Sequence, residues 1–231
     1  MDLLALYHIL HNAYGSQGWW PVADTGKSFS TYRKRARLSE SQQWEIIFGA
    51  ILTQSTSWKN VEHAIAELRK RGLLDPERIQ KIPMRQLALC IRSAGYHNQK
   101  AKKLKSVAKF LTQHTLRNLR SMPREELREL LLAQYGIGPE TADSIMLYAL
   151  RKPTFVLDAY TRRIMARIQG RAMSDDQLRK EFMHALDTDA ELFGEFHALF
   201  VAHAKAHCRK IPNCEQCPLQ DQCRFAGDKF K

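Results

Sequence analysis

Apolar residues recur three and four positions apart along almost the whole chain, and no segment shows the alternation of a half-buried strand. The first residues set the pattern, with Leu3, Tyr7 and Leu10 on one face of a helix. Because 44% of the 231 residues are hydrophobic, the chain can bury a substantial core. The fold class is therefore predicted to be all-α.

Capping and proline signals mark where these helices begin. Ser39 and Gln42 form a capping-box pattern just before an apolar run, and prolines stand at or near the first position of several segments. After a first helix that ends near Gly15, the predicted helices cover residues 44–52, 58–71, 76–82, 84–93, 99–114, 123–134, 139–151, 158–169, 175–186 and 190–207.

A short glycine loop, YGIG, joins the predicted helices 123–134 and 139–151. Gly136 and Gly138 can take positive φ and allow close approach of another group. The N–H groups of the loop and of the next helix start lack intrahelical partners, which suits a phosphate. An ordinary αα-turn with a C-capping glycine accounts for the spacing equally well. Glu140 places an acid at this apparent anion site.

The charge balance favours a polyanionic partner. The chain has 36 Lys and Arg against 24 Asp and Glu, which gives +12 and a pI near 9.6. Nucleic acid is the first candidate, and a basic protein without such a partner is the alternative. Helix 99–105 and segment 32–37 are expected to contact phosphates, and an ordinary solvated charged face is the alternative for both. No signal peptide or membrane span is evident, so a cytoplasmic, nucleoid-associated protein without a membrane partner is expected.

Four of the five cysteines lie in the last 24 residues with the spacing C-x5-C-x2-C-x5-C. Cys208, Cys214, Cys217 and Cys223 could surround an iron–sulfur cubane or a single tetrahedral zinc ion. A zinc ribbon would more often show two CxxC pairs, so the spacing leans toward the cubane. Cys90 stands in an apolar helix and is predicted to be core.

Four separated motifs resemble those of the endonuclease III superfamily of helix-hairpin-helix DNA glycosylases. They are LTQST at 52–56, GYHNQKA at 95–101, LLLAQYGIGPETAD at 130–143 and FVLDAYTRRI at 155–164. The resemblance implies a two-lobed fold with the helix-hairpin-helix at 123–151. One lobe would combine residues 1–55 with 133–231, and the other would be the bundle 56–132. A monomer that acts on double-stranded DNA containing a damaged base is expected.

The resemblance also implies a [4Fe–4S] cluster at the four cysteines, because members carry C-x6-C-x2-C-x5-C. The first gap is one residue shorter here, which keeps zinc as the alternative. Gln54, Tyr96 and His97 occupy positions from which the family inserts side chains into DNA. A capping amide and ordinary surface aromatics are the alternatives. Gly136, Gly138, Thr141 and Lys100 are expected to bind the DNA backbone.

Two acidic residues, Glu140 and Asp158, determine which reaction is expected. Bifunctional members carry a lysine nucleophile just before the Thr-Ala of the hairpin and cut the strand through a Schiff base. Glu140 holds that position here, and a carboxylate cannot form an imine. Asp158 matches the family aspartate, which stabilises positive charge on the sugar and can orient a water. From the residues alone Asp158 is better explained as the N-cap of the following helix, whereas the resemblance favours catalysis, and both roles can coexist.

A narrower resemblance is to the 3-methyladenine DNA glycosylases of the endonuclease III type, which share W-W-P, G-I-G-x-E-[ST]-A-D and V-x-D-x-Y. It implies excision of alkylated purines, whose positive charge lets the base leave without protonation. Trp19, Trp20 and Pro21 would form the base pocket by stacking, or else a hydrophobic plug. A mismatch thymine or uracil glycosylase and a catalytically silent damage-binding module remain alternative functions.

Overall fold

The computed structural model describes residues 2–24, 27, 30–32, 37–186 and 188–229, with the backbone alone at 228 and 229. Residues 33–36, within the basic segment expected to contact phosphates, lie outside this range. The protein is 66% helical, and the described residues contain no strand, only an isolated bridge between Val22 and Thr31. The all-α prediction is confirmed. No helix among these residues is long and apolar enough to cross a membrane.

Thirteen α-helices are present in the described ranges. In chain order they are α1 Leu3–Tyr14, α2 Glu40–Leu52, α3 Trp58–Lys70, α4 Pro76–Lys81, α5 Met84–Cys90, α6 His97–Gln113, α7 Leu116–Ser121, α8 Arg124–Leu132, α9 Pro139–Ser144, α10 Ala159–Gln169, α11 Asp175–Ala185, α12 Ala190–Ala206 and α13 Arg224–Lys229. Short 3₁₀ turns cover Arg92–Ala94 and Gln220–Gln222, and a π-helix covers Ile145–Ala149.

The helix starts follow the signals in the sequence. Ser39 Oγ accepts from the Gln42 backbone N–H at 3.2 Å, and the Gln42 side chain accepts from Ser39 N–H at 3.0 Å, so the capping box is confirmed. Pro76 and Pro139 open their helices. Helix α7 was not predicted, because its six residues are too short to show a clear period. The predicted helix 139–151 is an α-helix only to Ser144 and then widens into the π-helix.

The chain forms two compact units, residues 20–152 and residues 1–19 with 153–231. In the first unit α2 packs against α3, α6 and the π-helix, and most of its residues are buried. Glu45 of α2 is buried and accepts from Arg69 at 2.6 Å and from Ala23 N–H at 3.2 Å. The Ala23 bond holds the segment after Trp20 against α2, and the Arg69 bond joins α2 to α3.

The second unit is built on phenylalanine packing. The rings of Phe155 and Phe182 stack with centroids 3.7 Å apart, and Phe196 stacks on Phe200 at 4.8 Å. These side chains are fully buried. Helix α12 carries two of them and packs against both α1 and α10. The core therefore fixes the start of α10, where Asp158 stands.

The boundaries of these units differ from those of the predicted lobes. The sequence expectation separated residues 1–55 and 133–231 from 56–132, whereas residues 20–55 and 133–152 group with the helical bundle. The reason is packing, because α2 is the central helix of that bundle and α9 lies against both α2 and α8.

Candidate functional site

The hairpin loop between α8 and α9 uses its two glycines differently. Gly136 has φ +91°, and a Cβ there would lie within 2.7–2.8 Å of the Cδ and Cβ atoms of Lys103. Gly138 has φ −96° and ψ 178°, which any residue adopts, and a Cβ there would meet nothing within 4 Å. The expected use of positive φ therefore applies to Gly136 alone, while the bare Gly138 leaves room for a group from outside the protein.

An ion pair fixes the two helices of the hairpin. Arg128 of α8 donates from Nε to Asp143 Oδ1 at 2.8 Å and from Nη2 to Oδ2 at 3.4 Å. The Asp143 side chain is only 1% exposed. Such a fork holds both partners in one geometry. Asp143, the last residue of the hairpin motif, is thus structural.

The Gln54 amide is built into the hairpin. Its Nε2 donates to Gly136 O at 2.9 Å and to Thr141 Oγ1 at 3.0 Å. Its Oε1 accepts from Lys103 Nζ at 2.5 Å. The side chain therefore joins the end of α2, the glycine loop and α6. Insertion of Gln54 into DNA stays a prediction, and it requires these bonds to break first.

A cavity of about 570 Å³ lies beside the glycine loop. Its walls are Ala50, Thr53, Gln54, Ser55, Lys103, Gly136, Ile137, Gly138, Pro139, Glu140, Thr141 and Ser144. The volume is in the range of roughly 300–1,000 Å³ common for ligand sites. Ser55 has φ +53°, an uncommon conformation for a residue with a side chain. Glu140, which the sequence resemblance matches to the lysine of bifunctional relatives, lines this ligand-sized cavity.

The GYHNQKA motif at the start of α6 contains three predicted DNA-binding residues that differ in exposure. Tyr96 is 68% exposed and has φ +44° at the N-cap of α6, and His97 beside it is half-buried. Lys100 is 2% exposed, and its Nζ donates to Leu52 O at 2.8 Å and Ala94 O at 2.7 Å. This position corrects the prediction that Lys100 contacts DNA. Burial lowers the pKa of Lys100 to about 8, and the Lys103 charge adds to the effect.

The tandem tryptophans divide between the two units. Trp20 is 8% exposed, with the Trp58 ring 5.5 Å and the Tyr148 ring 5.4 Å from its centroid, and Pro21 is buried. Trp20 and Pro21 are therefore packed in the core, as the hydrophobic-plug alternative expects, and their place in a base pocket stays a prediction. Trp19 is half-buried, and it is the aromatic residue of the motif that keeps an accessible face.

Asp158 caps α10 with one carboxylate oxygen. Its Oδ1 accepts from Thr161 N–H at 2.7 Å, while Oδ2 lies 3.6 Å from His197 Nε2. Burial raises the pKa of Asp158, but His197 and then the Thr161 N–H lower it more, and the net pKa is below the ordinary value. The buried acid is thus ionised near neutral pH. Capping and catalysis are compatible, because the cap uses one oxygen of two.

The four C-terminal thiols line one apolar cavity. Cys208, Cys214, Cys217 and Cys223 share it with Ile164, Ile168, Leu219 and Phe225, among others. Four thiols around an apolar space are the donor set and the surroundings that an iron–sulfur cluster takes. Among the described residues no group of three or more His, Cys, Asp or Glu is arranged to hold a metal ion. The cluster and the zinc alternative therefore stay predictions.

Arg167 holds the first segment of this loop. Its guanidinium donates to Cys208 Sγ at 3.2 Å, Arg209 O at 2.7 Å and Lys210 O at 3.0 Å. Arg163 adds a bond from Nε to Cys208 O at 2.9 Å. These arginines of α10 fix the backbone of the short Cys208–Cys214 gap.

The sequence did not indicate Arg167 or His197, and it indicated Lys103 only as one of the basic residues of helix 99–105. His197 carried a detectable signal, because it follows Phe193 by four residues and precedes Phe200 by three on the buried face of α12. A polar residue on an apolar stripe usually has a specific partner. No comparable signal marked Arg167.

The family of the chain follows from comparison with known proteins. The model of the HhH-GPD superfamily of base excision DNA repair proteins matches residues 48–188, which is more than half of the chain. The protein therefore belongs to the HhH-GPD superfamily. The predicted membership of the endonuclease III-type glycosylase superfamily is confirmed.

Relatives and solved structures agree with this placement. The chain is 40% identical over 225 residues to a Methanocaldococcus jannaschii protein named as a candidate DNA repair glycosylase, covering 94% of each chain. It is 29% identical to endonuclease III of Sulfolobus acidocaldarius, covering 80% and 83%. A structure of endonuclease III trapped on DNA matches with a TM-score of 0.75 at 18% identity, covering 100% and 99%. The H. pylori 3-methyladenine DNA glycosylase bound to 1,N6-ethenoadenine matches with a TM-score of 0.70 at 23% identity, covering 89% and 98%.

Proposed function

We propose that the protein is a monofunctional DNA glycosylase that removes alkylated purines such as 3-methyladenine from double-stranded DNA. The observation that carries the proposal is the geometry of Asp158, a buried carboxylate that caps α10 with Oδ1 and holds Oδ2 3.6 Å from His197 Nε2. Membership of a base excision repair superfamily supplies the reaction class. The lesion class rests on the sequence resemblance, because the similarity to the H. pylori structure at 23% identity concerns the fold.

Asp158 would act on the sugar. Cleavage of the N-glycosidic bond builds positive charge at the anomeric carbon, as in glycoside hydrolysis. A carboxylate in a water-poor site stabilises that charge more strongly than one in bulk water. The same group can orient or deprotonate the attacking water. An N3- or N7-alkylated purine already carries a positive charge, so no general acid is required for its departure.

Glu140 would exclude strand cleavage. It lines the hairpin cavity where bifunctional relatives carry their lysine, and it cannot form the Schiff base on which β-elimination depends. Lys103 also lines this cavity, but its Nζ is bonded to the Gln54 amide. The product would therefore be an intact strand with an abasic site.

The hairpin would bind the DNA backbone. No side chain caps α9, and the open space at Gly138 allows a phosphate to approach its first N–H groups. Tyr96 is exposed in the same unit and is a candidate for insertion beside the extruded nucleotide. Trp19, with its partly accessible indole, is the candidate for stacking on an electron-poor base.

The four C-terminal cysteines would hold a [4Fe–4S] cluster. When bound, such a cluster cross-links the segments of the tail and so adds stability to the unit that contains Asp158. Cys208 is the ligand that Arg167 orients, and the Arg167 bonds to two carbonyls fit a gap one residue shorter than the family spacing. Zinc would be distinguished by metal analysis. A monomeric, cytoplasmic and nucleoid-associated protein remains our expectation.

A panel of duplexes tests the proposal. Duplexes with one alkylated purine, one uracil opposite guanine or one thymine opposite guanine are incubated with the protein, then analysed with and without alkali. We expect strand breaks only for the alkylated purine and only after alkali. Cleavage of the uracil or thymine duplexes alone would establish the mismatch enzyme, and cleavage without alkali would contradict the role given to Glu140. Tight binding without excision on any duplex would establish the silent damage-binding module.

A further inference from the structure

His197 is a polar residue in an apolar setting. It lies in the middle of α12 and is 5% exposed. Phe193 and Phe200 stand one turn away on either side along the same buried face. Burying an imidazole costs free energy unless a polar partner compensates. The position therefore indicates a specific task for the side chain.

The polar group beside His197 is the carboxylate of Asp158, the proposed catalytic acid. His197 Nε2 lies 3.6 Å from Asp158 Oδ2, which is within ion-pair range and slightly longer than a hydrogen bond. The other oxygen, Oδ1, is held at 2.7 Å by the Thr161 N–H. With one oxygen fixed by the cap and the other facing an imidazole, the plane of the carboxylate has little freedom to rotate.

The imidazole is itself held in place. The Trp19 ring meets the His197 ring edge-on, with centroids 6.4 Å apart and an interplanar angle of 89°. Helix α12, which carries His197, packs against α10, which Asp158 caps. The orientation of the acid is thus set by two packed helices and one aromatic side chain, and a small shift in any of them would move Oδ2.

We propose that His197 is a positioning residue that aims the Asp158 carboxylate at the sugar. This proposal rests on the proposed function, in which Asp158 is the catalytic acid. His197 would not contact DNA, because it is buried within its own unit. Its loss would therefore slow the chemical step and leave DNA binding nearly unchanged. The Trp19 contact gives the same tryptophan a second task, as the support of this imidazole.

The test uses two substitutions at one position and a control on the same helix. His197→Phe keeps the volume and removes the polar atom, whereas His197→Gln keeps an N–H near the place of Nε2. Phe196→Leu disturbs the same core without touching Asp158. For each, the single-turnover excision rate, the Kd for abasic DNA and the melting temperature are measured.

We expect His197→Phe to lower the excision rate by roughly 10- to 100-fold, the effect of a misplaced reacting group, with an unchanged Kd. His197→Gln should recover most of the rate. Phe196→Leu should lower the melting temperature and keep the rate of the folded protein. Equal losses in His197→Phe and His197→Gln, or a full rate in His197→Phe, would overturn the proposal.

A second measurement is independent of activity. The ¹⁵N resonances of the His197 ring are compared between the unaltered protein and Asp158→Asn. We expect a clear shift of these resonances, because a charge 3.6 Å from Nε2 is removed. Unchanged resonances would show that the two groups are not coupled and would overturn the proposal. If the unaltered protein excised no base, the proposed function would fail, while this comparison would still decide the coupling of His197 and Asp158.

Discussion

Substituting the two loop glycines by alanine should separate folding from DNA binding. Gly136→Ala forces a side chain into φ +91°, which costs about 1–3 kcal/mol. The new methyl group also meets the Lys103 stem at 2.7–2.8 Å, so Lys103 must move and weaken its charged bond to Gln54, worth roughly 1.5 kcal/mol. The sum is about 2.5–4.5 kcal/mol. For a chain of this size the melting temperature should fall by roughly 5–18 °C.

Gly138→Ala, in contrast, should increase the stability of the protein. Its φ of −96° suits alanine, and the methyl group meets nothing within 4 Å. Restricting the unfolded chain should stabilise the protein by about 0.4–1 kcal/mol. A phosphate that approaches the loop would collide with the same methyl group. We expect affinity for an abasic-site duplex to fall about tenfold, or about 1.4 kcal/mol.

Thermal melting and fluorescence anisotropy at one fixed salt concentration measure both effects. The two variants are controls for each other, since they place the same methyl group two residues apart. Unaltered DNA affinity in Gly138→Ala would refute the close approach of a phosphate. Unaltered melting in Gly136→Ala would refute the steric account of the loop.

Three further predictions concern single side chains. Lys100→Met should lower stability by about 1–3 kcal/mol, because two buried carbonyls lose their donor, and should not change the DNA affinity of the folded protein. The pKa of Lys100 in the folded protein, about 8, lies below its value in the unfolded chain, so the free energy of unfolding rises between about pH 8 and pH 10. The difference in this free energy between the unaltered protein and Lys100→Met should therefore widen over the same pH range. A difference that stays constant in chemical denaturation would contradict this expectation. Glu140→Lys should gain borohydride trapping on abasic DNA that the unaltered protein lacks, and trapping of both alike would exclude the role of Glu140. Cys217→Ser should lose iron and the visible absorption while Cys90→Ser keeps them, and zinc in place of iron in the unaltered protein would refute the cluster.

The sequence was sufficient wherever local chemistry decides the structure. The capping box at Ser39, the proline start at Pro139 and the helical class all follow from short patterns, and all were confirmed. The π-helix at Ile145–Ala149 had no such pattern, because the same residues continue a helical period. The π-helix packs against α2, a contact between segments that are distant in sequence and that no local signal encodes.

The side chains at the sites depended on long-range packing. Lys100 looked like a surface residue of a basic helix, yet it stands four and seven residues before Leu104 and Val107 on the buried stripe of α6. That spacing could have indicated its burial. Trp20 could not be told from Trp19, because its partners Trp58 and Tyr148 are distant in sequence. The two tryptophans therefore look equivalent in the sequence and differ only in the folded protein.

The central claim is that Asp158 drives the hydrolytic release of an alkylated base. Methylated genomic DNA is incubated with the unaltered protein and with Asp158→Asn, and the released bases are identified by mass spectrometry. We expect 3-methyladenine or a related alkylated purine from the unaltered protein and a loss of release in Asp158→Asn. Equal release by both proteins would contradict the account.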